Sequence, residues 1–192
     1  NKETNRVHTT FNQTIASTGR LSSTNPNFQN IPIKTKEGRE IRKAFCSQYK
    51  GWKILSADYS QVELRIMAHI SKDPGLILAF SKGYDIHVET ASKVFKVPTD
   101  SVLPEMRQTA KIVNFGIMYG AGPFRMAKEL GISREEAVSL IESYFKQYSG
   151  IKSYINNVLD QARKKNYVKT FLGRRRPIWD ANSDNGLRRK AA

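Results

Sequence analysis

A chain of 192 residues, 39% hydrophobic and 26% charged, can close one ordinary core or two small ones and is too apolar for wholesale disorder. Lys and Arg outnumber Asp and Glu by 32 to 17, a formal charge of +15, which points to a polyanion and first of all to nucleic acid. A single cysteine, Cys46, excludes an internal disulfide framework and a cysteine-based zinc site, and no apolar run approaches the roughly 18 residues of a membrane span.

Residues 1–50 read as strand and turn, because the Asn-Pro, Ile-Pro and Lys-Glu-Gly steps of "STNPNFQNIPIKTKEG" are too broken for a helix. Cys46 falls near an expected strand end, as a packed thiol. "WKILSAD", residues 52–58, reads as a buried strand ending in an acid. "SQVELRIMAHI" then turns to helical spacing, with Val62, Ile66, Met67 and Ile70 on one face. Residues 73–165 form a run of helices. Asp73-Pro74 supplies an N-cap and an N1 proline, with Gly83 as the stop. Asp85 caps "IHVETASKVF", Pro104 opens the next helix, and Gly120 and Gly122 close it. Ser133 with Glu136 forms a capping box. "GIKSYINNVLDQARKK" is a further amphipathic helix, and "YVKTFLGRRRPIWD" is a hairpin turning at Gly173. "NSDNGLRRKAA" starts one more helix, as though the chain were a piece of a longer one.

The chemistry gathers in "MRQTAKIVNFGIMYG", where Arg107, Lys111, Phe115 and Tyr119 follow at steps of four. On a helix they share one face over about 18 Å, cationic at its start and aromatic at its end. Such a face suits a ligand that is anionic at one end and flat at the other; an amphipathic helix with its rings in the core is the plainer alternative. Asn114 and Gly116, poor helix formers, demand a packing or close-approach reason. Asp58, at the end of the expected strand, is placed to hold a ligand or metal; an acid serving the helix N-terminus is the plainer alternative, though Ser60 is available as the cap. Glu63 completes a Ser-x-x-Glu capping box with Ser60, which explains it without function. His87 is expected to face solvent or a ligand; His8 and His69 give it no metal-ligand spacing. Arg174, Arg175 and Arg176 read as phosphate contacts or as a solvated turn. No GxxxxGK[ST] loop, GxSxG elbow or catalytic cysteine signature occurs.

Several stretches resemble one family. "SADYSQVELRIMAH" resembles motif A of the family A DNA polymerases, the bacterial DNA polymerase I type, and "RQTAKIVNFGIMYG" resembles that family's motif B. "TGRLSSTNPNFQNIP" is similar to its primer-template contact segment, and "DIHVETA" and "YVKTFLGRRR" also match, in the family's order. The resemblance covers nearly the whole chain. It implies an α+β fold: a partial antiparallel palm sheet with the contact segment and motif A in residues 1–72, helical fingers in 73–182, and the start of a palm helix in 183–192.

The resemblance also implies roles. Arg107 and Lys111 would hold the triphosphate of an incoming dNTP, with His87 nearby; Phe115 would pack on sugar and base, and Tyr119 would stack at the templating position. Asp58 and the backbone carbonyl of Tyr59 would bind the catalytic Mg²⁺, two ions in the complete enzyme. Glu63, beside Gln61, would exclude a ribose 2′-OH. Arg20, Asn27 and Asn30 would contact primer-template DNA. The reaction would be nucleotidyl transfer to a primer 3′-OH, with Lys111 neutralising or protonating the leaving pyrophosphate, in the bacterial cytoplasm or nucleoid and with no membrane or obligate protein partner. Phe115 looks like the variant that disfavours dideoxynucleotides.

The family's motif C pairs a histidine with a second catalytic aspartate, and no His-Asp pair occurs in these 192 residues. Little or no turnover is therefore expected of this chain alone. Two other readings stay open: a non-catalytic nucleic-acid-binding module, and a metal-dependent nuclease using Asp58 and Glu63.

Overall fold

The computed structural model describes residues 1–33 and 35–191. The fold is α+β, as expected, and divides into two compact units, Asn1–Tyr59 and Ser60–Ala192.

In the first unit, strands β1 (Thr10–Asn12) and β2 (Ser22–Thr24) pair antiparallel, Thr10 opposite Thr24 and Asn12 opposite Ser22. Helix α1 (Lys36–Arg42) follows, where broken strand and turn were expected. Its Thr35 hydroxyl accepts from Gly38 N–H at 3.1 Å, an N-cap that holds the first turn. Gly38 looks like a breaker but is required there: a Cβ on it would collide with the Pro32 carbonyl. The expected buried strand at 52–58 is not formed. Trp52, Ile54 and Leu55 are 68, 61 and 92% exposed, and the segment pairs with no described strand. An apolar run becomes a strand only when a neighbouring backbone takes its hydrogen bonds and a face covers it. Cys46 is likewise exposed rather than packed.

The second unit is a helical assembly whose core joins Leu64, Leu76, Ile86, Val113, Ile117, Met126, Tyr144, Tyr148 and Ile151. Helix α2 (Val62–Ser71) buries Leu64 and Ala68, whereas Val62 and Ile66 of the expected face are 37 and 50% exposed. Apolar residues surround most of this helix, so its neighbours choose the buried side. The Ser60 capping box is not formed either. Gln61 occupies the N-cap in the left-handed region, φ 53°, with no side-chain cap, and Glu63 is thereby released from the helix start.

The other helix signals hold. Asp73 Oδ1 accepts from Gly75 and Leu76 N–H at 3.0 and 3.1 Å, opening α3 (Pro74–Ser81). Its Oδ2 accepts from Gly150 N–H at 2.9 Å, tying α3 to the first turn of α8 (Ser149–Lys165). Asp85 Oδ1 caps α4 (Ile86–Phe95) through His87 and Val88 N–H. A 3₁₀ turn at Thr99–Ser101 leads to α5 (Pro104–Met118) and α6 (Pro123–Leu130). Both halves of the Ser133–Glu136 capping box open α7 (Arg134–Gln147). Strands β3 (Tyr167–Lys169) and β4 (Arg175–Pro177) make the expected hairpin, Tyr167 opposite Pro177, with Gly173 at φ +88°. A 3₁₀ turn, Trp179–Asn182, and α9 (Gly186–Ala191) complete it.

Candidate functional site

The site is built on α5. Pro104 starts it, and Tyr119 caps its end before Gly120 takes φ +73°. Gly116, inside the helix, is explained by packing: a Cβ there would lie 2.7 Å from Met126 Cε, so its absence lets α6 fold back closely onto α5. Lys111, Phe115, Gly116 and Tyr119 then line a shallow concavity of about 200 Å³ with Arg125 and Glu129 of α6. Sequence reading missed those last two. Their i, i+4 spacing after Pro123 was a signal that a helix face was there, but only the backward turn at Gly120–Gly122 brings it to α5.

The stripe lies along the helix in the expected order. Arg107 is half-buried and Lys111 exposed; Phe115 is partly buried, and Tyr119 is 57% exposed. The core therefore takes only part of Phe115 and little of Tyr119. The Tyr119 hydroxyl donates to Glu63 Oε2 at 2.5 Å, joining α5 to α2. Gln61 heads the helix that carries Glu63.

At the cationic end, Arg107 Nε and Nη2 donate to Asp85 Oδ2 at 3.0 and 2.7 Å, while Oδ1 of the same carboxylate caps α4. Burial pushes the Asp85 carboxyl up. The Arg107 hydrogen bond, the His87 and Val88 amides and the Arg107 charge outweigh it and hold the group below its ordinary value. His87, expected to face solvent or a ligand, is 3% exposed, which rules out the open-solvent setting. Its Nδ1 meets Asn114 Nδ2 at 3.0 Å and its ring centroid lies 5.8 Å from that of Phe115. Burial lowers its pKa; Asp85 opposes the shift, and Arg107 and Lys111 add to it. Asn114, the second poor helix former, is fully buried as the partner of His87 and Thr90.

Arg174, Arg175 and Arg176 are exposed at the hairpin of the second unit, and the remaining expected residues lie in the first unit. Arg20, Asn27, Asn30, Asp58 and Tyr59 are all exposed, and Asn27 Oδ1 accepts from Gln29 N–H at 3.0 Å. Among the described residues no three or more His, Cys, Asp or Glu side chains converge. Asp58 and the Tyr59 carbonyl are nevertheless hard oxygen donors of the kind Mg²⁺ takes, completed by water and phosphate. No described helix is long and apolar enough to cross a membrane.

An α+β protein with a helix graded from cations to aromatic rings defines the class, and comparison with known proteins narrows it. The family model for DNA polymerase family A matches residues 1–192. The chain is 51% identical over 183 residues to DNA polymerase I of Bacillus caldotenax, covering 95% of this chain and 21% of that protein. It is 53% identical over 192 residues to DNA polymerase I of Borreliella burgdorferi, covering 100 and 21%. The solved structure described as the POL domain of Pol1 from M. smegmatis in complex with DNA primer-template and dNTP superposes with a TM-score of 0.88 at 50% identity, over 97% of this chain and 33% of that one. This chain belongs to DNA polymerase family A. It spans about a fifth of the length of the curated relatives it matches.

Proposed function

We propose that these residues are the nucleotide-selecting part of a template-directed DNA polymerase, with residues 1–72 contributing palm, 73–182 fingers and 183–192 a palm helix. The observation that carries this is the ordered face of α5, Arg107 and Lys111 followed by Phe115 and Tyr119, with Glu63 bonded to Tyr119 at its aromatic end. The relative from M. smegmatis is described with primer-template and dNTP bound, and a dNTP has the matching polarity, anionic at one end and flat at the other.

In this reading Arg107, Lys111 and the covered ring of His87 grip the triphosphate. Phe115 packs on sugar and base, and Tyr119 covers the templating position. Glu63, held by the Tyr119 hydroxyl, fills the space a ribose 2′-OH would need. Gln61 lies beside that gate at the head of the same helix. The primer 3′-OH attacks the α-phosphate and pyrophosphate leaves. Lys111 neutralises the charge developing on that leaving group or delivers a proton to it, a contribution that is usually large when the donor is preorganised. Asp58 and the Tyr59 carbonyl would hold Mg²⁺, which when bound lowers the charge on the reacting oxygens. Arg20, Asn27 and Asn30 contact primer and template. Lacking a His-Asp pair, the 192 residues alone should bind substrate but turn it over poorly.

The test is binding of a labelled primer-template to the chain with Mg²⁺, comparing the templated dNTP with the three mismatched ones. Tightening by the templated dNTP alone supports the reading. Equal effects of all four, with binding that weakens steeply in salt, would leave a basic DNA-binding module instead.

A further inference from the structure

Four polar groups meet beneath the face of α5 with no formal charge among them. His87 Nδ1 lies 3.0 Å from Asn114 Nδ2. Both amide atoms of Asn114 lie near Thr90 Oγ1, at 3.2 and 3.3 Å, and that oxygen is 3.0 Å from the Tyr148 hydroxyl. His87 is 3% exposed and the other three are fully buried. The cluster spans α4, α5 and the end of α7, and the stripe does not account for it.

In this structure Asn114 turns its amide nitrogen toward the ring, and an amide nitrogen only donates, so the ring nitrogen it faces accepts. His87 Nδ1 is then the bare nitrogen, and the proton sits on Nε2. Nε2 has no hydrogen bond to any described residue. Among the described residues Ser22 Oγ is the sole side-chain polar atom both sealed and unpartnered, so the little exposure His87 keeps includes Nε2. The ring thus turns one N–H donor outward.

We propose that Asn114 is a positioning residue that holds His87 as the neutral Nε2–H tautomer, so that the ring offers one uncharged donor to a phosphate oxygen gripped by Arg107 and Lys111. The ligand half rests on the triphosphate reading above. A second proton would have to enter at Nδ1, against the Asn114 N–H, and would add a third cation beside Arg107 and Lys111. The charges acting on the ring are Asp85, which favours protonation, and Arg107 and Lys111, which oppose it together with burial. Glu89 and Lys93 on α4 pair with each other at 3.8 Å, and Asp73 is spent on Gly75, Leu76 and Gly150. The Tyr148 hydroxyl, pushed up to about 12 chiefly by burial, stays protonated. The consequence is a phosphate grip whose strength does not follow the titration of an ordinary histidine.

Long-range ¹⁵N–¹H spectra of the histidine rings in the 192-residue chain test this, with His8→Gln and His69→Gln used to assign His87. At pH 7 we expect His87 protonated on Nε2 and bare on Nδ1. Asn114→Asp should reverse the tautomer and raise the titration midpoint by about 1–3 units, as an opposite charge within contact does. A proton on Nδ1 of the wild-type ring overturns the proposal, and that spectrum decides it even if the variant fails to fold. Inorganic triphosphate should shift the Nε2 resonance, and its affinity should not fall as pH rises from about 6 to 8, because the ligand's own last ionisation at about pH 6 favours binding and no histidine charge is lost. In Asn114→Asp its binding should weaken roughly tenfold at pH 8 and recover as pH falls. Triphosphate that binds without moving Nε2 overturns the donor role. Triphosphate that does not bind at all overturns the ligand half by removing the reading beneath it, and the tautomer spectrum separates that failure from a failure of the Asn114 assignment.

Discussion

Single side chains here do two jobs, and Asp85 shows the consequence. One oxygen caps α4 and the other holds Arg107. Asp85→Asn keeps an acceptor for the cap but removes the charge, so Arg107 should lose its aim and the chain should bind dNTP more weakly. Because the folded-state pKa lies below the ordinary 3.8, the stabilisation from this carboxylate is complete above that value and is lost as pH falls through the lower folded value. Unfolding followed against pH should show this loss in the wild type and a reduced slope in Asp85→Asn. Lys111→Ala should leave stability within about 0.5 kcal/mol, since the residue is exposed. It should weaken dNTP affinity by roughly 10-fold or more, the range for a lost charge-assisted hydrogen bond; isothermal titration checks both the loss and its dependence on salt. On the proposed function, Phe115→Tyr should raise incorporation of dideoxynucleotides when these residues are part of an active family A polymerase, and an unchanged ratio of dideoxy to deoxy incorporation would refute the role given to this ring.

At the scale of elements, most caps and the hairpin at Gly173 were legible, and the strand expected at 52–58 was not formed. Asp73, Asp85, Ser133 and Glu136 act within a few residues of themselves, so their chemistry is written in adjacent letters. The Ser60–Glu63 pattern carried the same letters and failed, because Gln61 turned left-handed and Glu63 found Tyr119 across the fold. The long-range bond from Asp73 to Gly150 was equally invisible. Asp73→Ala should cost about 2–4 kcal/mol, a lost cap together with a buried N–H left unpaired at Gly150. Ser133→Ala, losing a cap with no long-range partner, should cost only about 1 kcal/mol; chemical denaturation distinguishes the two. The stripe on α5 was readable as a face, but its floor was not. His87, expected to face solvent or a ligand, is covered, with Asn114 as the partner of its Nδ1.

For the molecule as a whole, the two compact units and the exposed chain before Ser60 predict a pattern of cleavage. Lys50 and Lys53 lie in an exposed stretch without ladder hydrogen bonds, the kind of backbone that opens to proteases first. Brief trypsin treatment should cut there and leave a helical product starting near residue 54, read by mass spectrometry. Protection of both lysines would contradict the exposure of 52–58. With a net charge of +15, any binding of DNA by the chain is expected to fall steeply with salt.

By itself the sequence determined whatever is local or periodic: the helices and most of their caps, the hairpin at Gly173, the order of charge and ring along α5, and the motifs that mark family A. Those features depend on residues a few positions apart, whose geometry is set by the backbone they share. The tertiary structure alone decided which side of α2 is buried, that residues 52–58 form no strand, that Gly116 makes room for Met126, and that His87 sits beneath the site with Asn114. Each of these depends on a partner distant in the chain. A side chain's own chemistry says what it can bond, and only packing says what it meets.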